Sequence, residues 1–319
     1  MTRAVVTGGA GFIGSHVVER LLARGDEVIV LDNFSSGKVE NLARVKRNGK
    51  LRIVRGSILN QALVAKTLKN VDIVIHEAGI VSVTKSVSQP ITVFRENVEG
   101  TLRLLEESRR ASVRSFVFAS SCGVYGNAKI LPTNEEALIA PISPYAASKA
   151  AAEQFCTAYY RTYGLGTICL RYTNVYGPRK ATGLYGGVVT KFAERLFSHF
   201  PPTIFGDGKQ KRDFVYSSDV ADATVRASNC ASARGSIINI GSGIGISINA
   251  LAQLMSELTN NRHIGSVRCK PRVGDVSNSC ADTRRARDLL NFKCRVPLRD
   301  GLAKFLSWYK ETIRQNKTQ

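Results

Sequence analysis

The chain has 319 residues, 45 Lys+Arg against 25 Asp+Glu for a formal net charge of +20, and 44% hydrophobic content. That length holds one large α/β domain or a main domain with a smaller partner, and no apolar run approaches the roughly 18 residues needed to span a bilayer. The seven cysteines are odd in number and scattered and the four histidines lack ligand spacing, so no disulfide framework or metal site is expected; an N-terminus that enters a strand at once points to a cytoplasmic protein.

The first element is an apolar strand running through Val5 and Val6 into glycines at 8, 11 and 14, followed by a helix with Val17, Val18, Leu21 and Leu22 on one face. A helix start offers unpaired backbone N–H groups and the positive end of its dipole, and glycines let a pyrophosphate approach that backbone. A second apolar run, Glu27 to Asp32, completes a strand-helix-strand unit, with Asp32 eighteen residues past Gly14. A carboxylate there accepts both ribose hydroxyls of an adenosine half and repels a 2′-phosphate, which favours NAD, while Lys38 keeps NADP open. A phosphate-binding turn for another nucleotide is the plainer alternative.

Apolar runs at 51–55, 71–75, 115–119 and 167–170 alternate with helical patterns near 60–69, 91–110 and 144–163. The alternation predicts an α/β fold with a doubly wound parallel sheet. Beyond about residue 175 loops become frequent, which predicts a smaller region packed on the carboxyl ends of the strands, where open α/β sheets bind ligands. The positive balance rises from +7 over residues 1–170 to +13 over 171–319. Basic clusters such as Arg44–Arg47 and Arg284–Arg287 are short and lack interleaved aromatics, so a solvated basic surface with a few arginines for a small anionic ligand is expected rather than nucleic-acid binding.

Ser143 and Pro144 open a helix that carries Tyr145 and Lys149, four residues apart and therefore on one face. A neighbouring ammonium is expected to lower the phenol's pKa, so that the pair takes or returns a hydroxyl proton. The strand ending at Ser121 places that hydroxyl at the sheet's carboxyl edge, in reach of a substrate oxygen. His76, after the fourth strand, is expected to be structural.

Gly8, Gly11, Gly14, Asp32, Ser121, Tyr145 and Lys149 together make the chain resemble the extended short-chain dehydrogenase/reductases over nearly its whole length. The stretches 170–178, 203–208, 212–216, 239–243 and 272–275 resemble those of the UDP-hexose 4-epimerases within that family. The resemblance implies a Rossmann NAD-binding domain over residues 1–175 and a mainly UDP-sugar-binding region over 176–319, interwoven with it. It implies NAD contacts from Gly8, Gly11, Phe12, Ile13, Gly14, Asp32, Asn33, Ser57, Ile58, Ala78, Asn97, Tyr145 and Lys149. Substrate contacts are implied for Ser121, Asn174, Val188, Thr203, Phe205, Arg212, Arg272, Asp275 and Ser279, with arginines clamping the pyrophosphate. No metal and no nucleic acid are expected, and a homodimer formed through the helices near 91–110 and 144–163 is.

The reaction so implied inverts C4 of a UDP-sugar through a transient 4-keto sugar, with hydride passing to NAD and back while Tyr145 moves the hydroxyl proton. Ser279 stands where epimerases restricted to glucose and galactose carry a bulky tyrosine, which favours UDP-GlcNAc/UDP-GalNAc with UDP-glucose/UDP-galactose activity beside it. The alternatives are a 4,6-dehydratase, whose Asp-Glu pair is replaced here by Cys122 and Gly123, or a UDP-glucuronate decarboxylase or epimerase, the decarboxylase having glutamate at the position of Gly123. A non-enzymatic RNA-binding relative is the remote one. Ser57 replaces a familiar aspartate near the adenine, and Thr173 a frequent phenylalanine.

Overall fold

The computed structural model describes residues 2–180, 187–271 and 276–317. Its strands, in chain order, are β1 (Arg3–Thr7), β2 (Glu27–Asp32), β3 (Leu51–Arg55), β4 (Ile73–His76), β5 (Ser115–Ser121), β6 (Thr167–Tyr172), β7 (Asn174–Tyr176), β8 (Thr203–Phe205), β9 (Lys211–Tyr216), β10 (Ile237–Ile240), β11 (Gly245–Ser247), β12 (Val267–Cys269) and β13 (Asn278–Ser279). Seven of them form one sheet in the order β10-β6-β5-β4-β1-β2-β3, with every neighbouring pair parallel. The chain winds outward from β1 to β3, then restarts at β4 on the other side of β1. That reversal opens a crevice at the carboxyl ends of β1 and β4, the place where doubly wound sheets hold their ligands.

Helices cover both faces because β1, β2 and β4 bury side chains on each side. On one face the helices Phe12–Arg24, Ser217–Asn229 and Arg284–Leu290 pack Val17, Leu21, Val220 and Ala286 against Val6, Ile75 and Ile168. On the other, Gln61–Thr67, Gly100–Arg110 and Pro144–Tyr163 pack Val64, Leu104 and Ala152 against Val5, Val74 and Phe116. Each fully buried large aliphatic side chain contributes about 1.5–3 kcal/mol. A third core, built around Phe192, Phe214, Leu251 and Phe305, joins the helices Val188–Phe197, Ile248–Leu258 and Leu298–Lys317 to β8 and β9. Here β9 is the hub of a small sheet, pairing with β7, β11 and β13.

The helical pattern expected near 91–110 is real but interrupted. The segment Arg95–Glu99 is a π-helical turn between Pro90–Phe94 and Gly100–Arg110. Such turns concentrate at functional sites because they re-aim side chains that a regular helix would turn away. The one here carries Asn97. No described helix is long and apolar enough to cross a membrane.

One buried polar cluster ties these parts together. Arg171 on β6, 1% exposed, makes a two-pronged pair with Glu153 of helix Pro144–Tyr163 at 2.9 and 2.7 Å. Ser120 on β5 donates to the same carboxylate at 2.5 Å, and Arg171 also donates to the Tyr125 hydroxyl at 2.8 Å. Tyr125 in turn donates to Asn239 on β10 at 2.8 Å. Removing one partner of such a pair strands the other charge away from water. Glu153→Gln is therefore expected to destabilise the protein by about 3–5 kcal/mol, read from urea unfolding; an unchanged midpoint would refute the pair's structural weight.

Candidate active site

The crevice begins at Gly8, whose φ of +66° belongs to the left-handed region. A Cβ there would lie 2.7 Å from the backbone nitrogen of Ala78, so the β1 and β4 ends approach only because residue 8 is glycine. At Gly14 a Cβ would stand 2.2 Å from the Gly8 carbonyl oxygen, so this glycine brings the helix tight against the turn. Gly11 caps that helix without a side chain, and Phe12 and Ile13 pack on the core below. The result is a cradle of backbone at a helix start.

Asp32 ends β2 beside that cradle, 7% exposed. Its carboxylate accepts the N–H of Ala10 at 2.9 Å and of Phe34 at 2.8 Å. Burial pushes its carboxyl upward, and the two backbone donors oppose that rise. Asn33 and Ser57 each accept a nearby backbone N–H, from Ser35 and Leu59, and Ile58 is buried against Gly100.

On the other side of the crevice the helix Pro144–Tyr163 starts with Ser143 accepting the Ala146 N–H, which sets Tyr145 in the first turn and Lys149 one turn on. Ser121 ends β5, accepts the Gly123 N–H at 3.1 Å, and hydrogen-bonds the Tyr145 phenol. Lys149 is 4% exposed; its ammonium donates to the Ala119 carbonyl at 2.7 Å and lies 4.8 Å from the centre of the Phe118 ring. Burial lowers its pKa to about 8, against the opposing pull of Glu77 and Glu153. The structure corrects the expected electrostatics of Tyr145. Burial raises the phenol, the Ser121 hydrogen bond works against that rise, and the charges of Cys122 and Glu77 add to it.

Glu77, which the sequence reading passed over, stands one residue past β4, with its Oε1 hydrogen-bonded to Tyr172 at 2.9 Å. Burial pushes its carboxyl up to about 7, offset by Tyr172 and Lys149. The signal was available: a carboxylate directly after a fully buried strand, at the sheet's carboxyl edge, lies where ligands bind. His76 is structural. Its Nδ1 pairs with Thr7 at 2.7 Å and its Nε2 with Thr101 at 2.9 Å, and burial lowers it to about 3. Because Thr101 donates to the Asn97 carbonyl, it accepts from His76, and Thr7 donates to the other ring nitrogen. Asn97 is fully engaged within the protein: it bonds the backbone N–H and carbonyl of Ile80 and donates to Ser148. It thus ties the Ala78–Ile80 loop to the helix bearing Tyr145 and Lys149.

The remaining residues gather on the small sheet. Asn174 pairs in register with Phe214 and donates to the Asp213 carbonyl at 3.2 Å, while Ser279 pairs with Arg212 across β13 and β9. Arg212, 8% exposed, donates to the carbonyls of Ser277 and Val276, which anchors the segment just past residue 275. Ser279 lines a recess with Cys122, Tyr125, Gly126 and Cys280, so the structure brings it toward the Ser121 turn. Val188 opens the helix that follows, and Thr203 and Phe205 bound β8, paired with β12. Arg272 and Asp275 lie outside the described residues.

Comparison with known proteins gives this arrangement its family. The NAD dependent epimerase/dehydratase family matches residues 4–241. A UDP-glucose 4-epimerase of Mycolicibacterium smegmatis is 38% identical over 319 residues, covering 99% of this chain and 100% of that one. The crystal structure of UDP-glucose 4-epimerase from Thermotoga maritima with UDP-glucose is 39% identical at a TM-score of 0.93, covering 98% of this chain and 100% of that one. The UDP-N-acetylglucosamine 4-epimerase from Methanobrevibacter ruminantium M1, in complex with UDP-N-acetylmuramic acid, is 33% identical at a TM-score of 0.92, covering 98% and 99%. The chain belongs to the NAD dependent epimerase/dehydratase family.

Proposed function

We propose that the protein is a UDP-sugar 4-epimerase that favours UDP-GlcNAc/UDP-GalNAc and also turns over UDP-glucose/UDP-galactose. The observation that carries this reading is the meeting of Ser121, Tyr145 and Lys149 beside a glycine cradle, without a carboxylate at position 122 or 123. The cradle fits NAD: the backbone at Gly8 and Gly14 leaves no room for a Cβ, and Asp32 keeps lone pairs free of its two backbone donors. NAD, when bound there, supplies the hydride acceptor and donor. Tyr145 takes the proton of the C4 hydroxyl and returns it after the sugar has turned, and Ser121 holds the C4 oxygen by hydrogen bonding. Lys149 keeps a positive charge on the same helix face, which favours the phenolate form of Tyr145 that takes this proton. Asn174, Val188, Thr203, Phe205, Arg212, Arg272 and Asp275 hold the UDP group while the keto sugar rotates.

Two features weigh against dehydration or decarboxylation. Cys122 is buried and donates to the Arg171 carbonyl, and a Cβ on Gly123 would already stand 3.2 Å from Ser121 Oγ. The small Ser279 side chain, in place of a bulky tyrosine, supports acceptance of an acetamido group. A homodimer through the helices near 91–110 and 144–163 accompanies this reading, supported by the exposure of Ile91 (66%) and Phe94 (54%).

Incubation with UDP-GlcNAc and separately with UDP-glucose, with NAD present and the C4 configuration assigned by NMR, tests the reaction directly; inversion of neither sugar would sink it. Tyr145→Phe is expected to lower kcat by about 100-fold or more with KM little changed, and undiminished turnover would remove Tyr145 from the proton transfer. Ser279→Tyr is expected to abolish turnover of UDP-GlcNAc while sparing UDP-glucose, and equal loss on both would refute the selectivity assignment.

A further inference from the structure

Glu77 has no part in the scheme above, yet it sits in a line of oxygen atoms whose protons can be counted. Its Oε1 is 2.9 Å from the Tyr172 hydroxyl, that hydroxyl is 2.8 Å from Thr224 Oγ1, and Thr224 Oγ1 is 2.8 Å from the Val220 carbonyl. Each approach at this range is a hydrogen bond, and each needs one proton between its oxygens. Tyr172 and Thr224 supply one proton apiece and the carbonyl supplies none. Two protons cannot serve three contacts, so an ionised Glu77 would leave one pair of oxygens facing lone pair to lone pair. A protonated Glu77 completes the line: carboxyl to Tyr172, Tyr172 to Thr224, Thr224 to the helix carbonyl.

We propose that Glu77 carries a proton in the resting site and is the positioning residue that keeps the ammonium of Lys149 charged when the surroundings turn alkaline. The proposal rests on the epimerase reading for its catalytic meaning, but the proton count does not. Among the described residues, these groups face Glu77. From β6 comes Tyr172, from helix Ser217–Asn229 the Thr224 hydroxyl behind it, and from helix Pro144–Tyr163 Lys149 and Tyr145, while the backbone of Glu77 lies against Gly8. Lys149 is the charged side chain acting on it.

The order of proton loss follows from the same surroundings. Burial raises the acid and lowers the amine, while Lys149 favours the ionised acid and Glu77 the protonated amine, which keeps the acid the first of the two to ionise. Its new carboxylate then attracts the Lys149 ammonium and holds that proton on, at the moment it would otherwise be lost. A glutamine at position 77 preserves the hydrogen-bonded line, since its amide donates to Tyr172, but it can never ionise. Lys149 then loses its proton at lower pH than in the native protein.

Carbon-13 NMR of the glutamate carboxyls, comparing wild type with Glu77→Gln, reads the first claim without cofactor or substrate. The resonance missing from the variant is expected to titrate near 7, well above the ordinary glutamate value of about 4.3; titration alongside exposed glutamates would overturn the proton count. If Glu77→Gln does not fold, Tyr172→Phe identifies the resonance, because loss of the phenol oxygen that accepts the carboxyl proton changes that carboxyl's resonance and titration. The second claim is read from the pH profile of the full enzyme. In Glu77→Gln the alkaline limb of kcat is expected to move to lower pH, a loss of about threefold or more in proton affinity, or half a pKa unit, with KM unchanged. A kcat lowered equally at every pH, with the limb in place, would assign Glu77 a merely structural role. Absence of epimerisation with a neutral-range Glu77 would remove the epimerase reading and leave the proton count standing.

Discussion

Two opposite charges that cannot reach water, Arg171 on β6 and Glu153 on the helix Pro144–Tyr163, have to stay together once the chain has closed over them. The part of the site that carries Ser121, Tyr145 and Lys149 hangs from that pair. Glu153 lies one turn beyond Lys149, so fixing it fixes the rotation of the helix that presents Tyr145 and Lys149. Its carboxylate also takes the hydroxyl of Ser120, the residue before Ser121, and Arg171 reaches Tyr125 at the end of the turn that Ser121 caps. Three elements that converge from distant parts of the chain are thereby set in one geometry.

Charge is handled differently at the crevice itself. Burial penalises the ionised forms of His76, Lys149, Glu77 and Tyr145 alike, and each resolves the penalty through a different partner. His76 stays neutral between two threonine hydroxyls, where it braces the Ala78 loop through Thr7 and the π turn through Thr101. Lys149 keeps a carbonyl acceptor and an aromatic face. These groups sit among close polar partners, which makes small displacements of charge costly and therefore effective.

Much of this was legible in the chain of residues. The unit from Arg3 to Asp32 announces itself because glycine is required at Gly8 and Gly14 by contacts of 2.7 and 2.2 Å, and such requirements leave a spacing. Tyr145 and Lys149 are legible because a helix places residues four apart on one face. What could not be read was long-range. β10, beyond a stretch of small-sheet strands, returns to the large sheet to pair with β6, and no local pattern records that journey. Glu77 reads locally as the first polar residue after a strand; the groups that act on its carboxyl, Tyr172 and Lys149, are both more than seventy positions away. The expectation for Tyr145 erred for the same reason, since spacing shows a neighbouring ammonium but not the loss of water around the phenol.

The π turn at Arg95–Glu99 has a consequence for how this fold can change over time. A π turn is an α-helix that has absorbed one surplus residue, and each residue rotates a helix by about 100°. Deleting a residue there would relax the backbone into an ordinary helix and swing everything before it away from everything after. Asn97 could then no longer span from the Ile80 backbone to Ser148. The surplus residue, a local defect by helical standards, is thus one this fold cannot shed without losing the link from the Ala78–Ile80 loop to the helix of Tyr145 and Lys149.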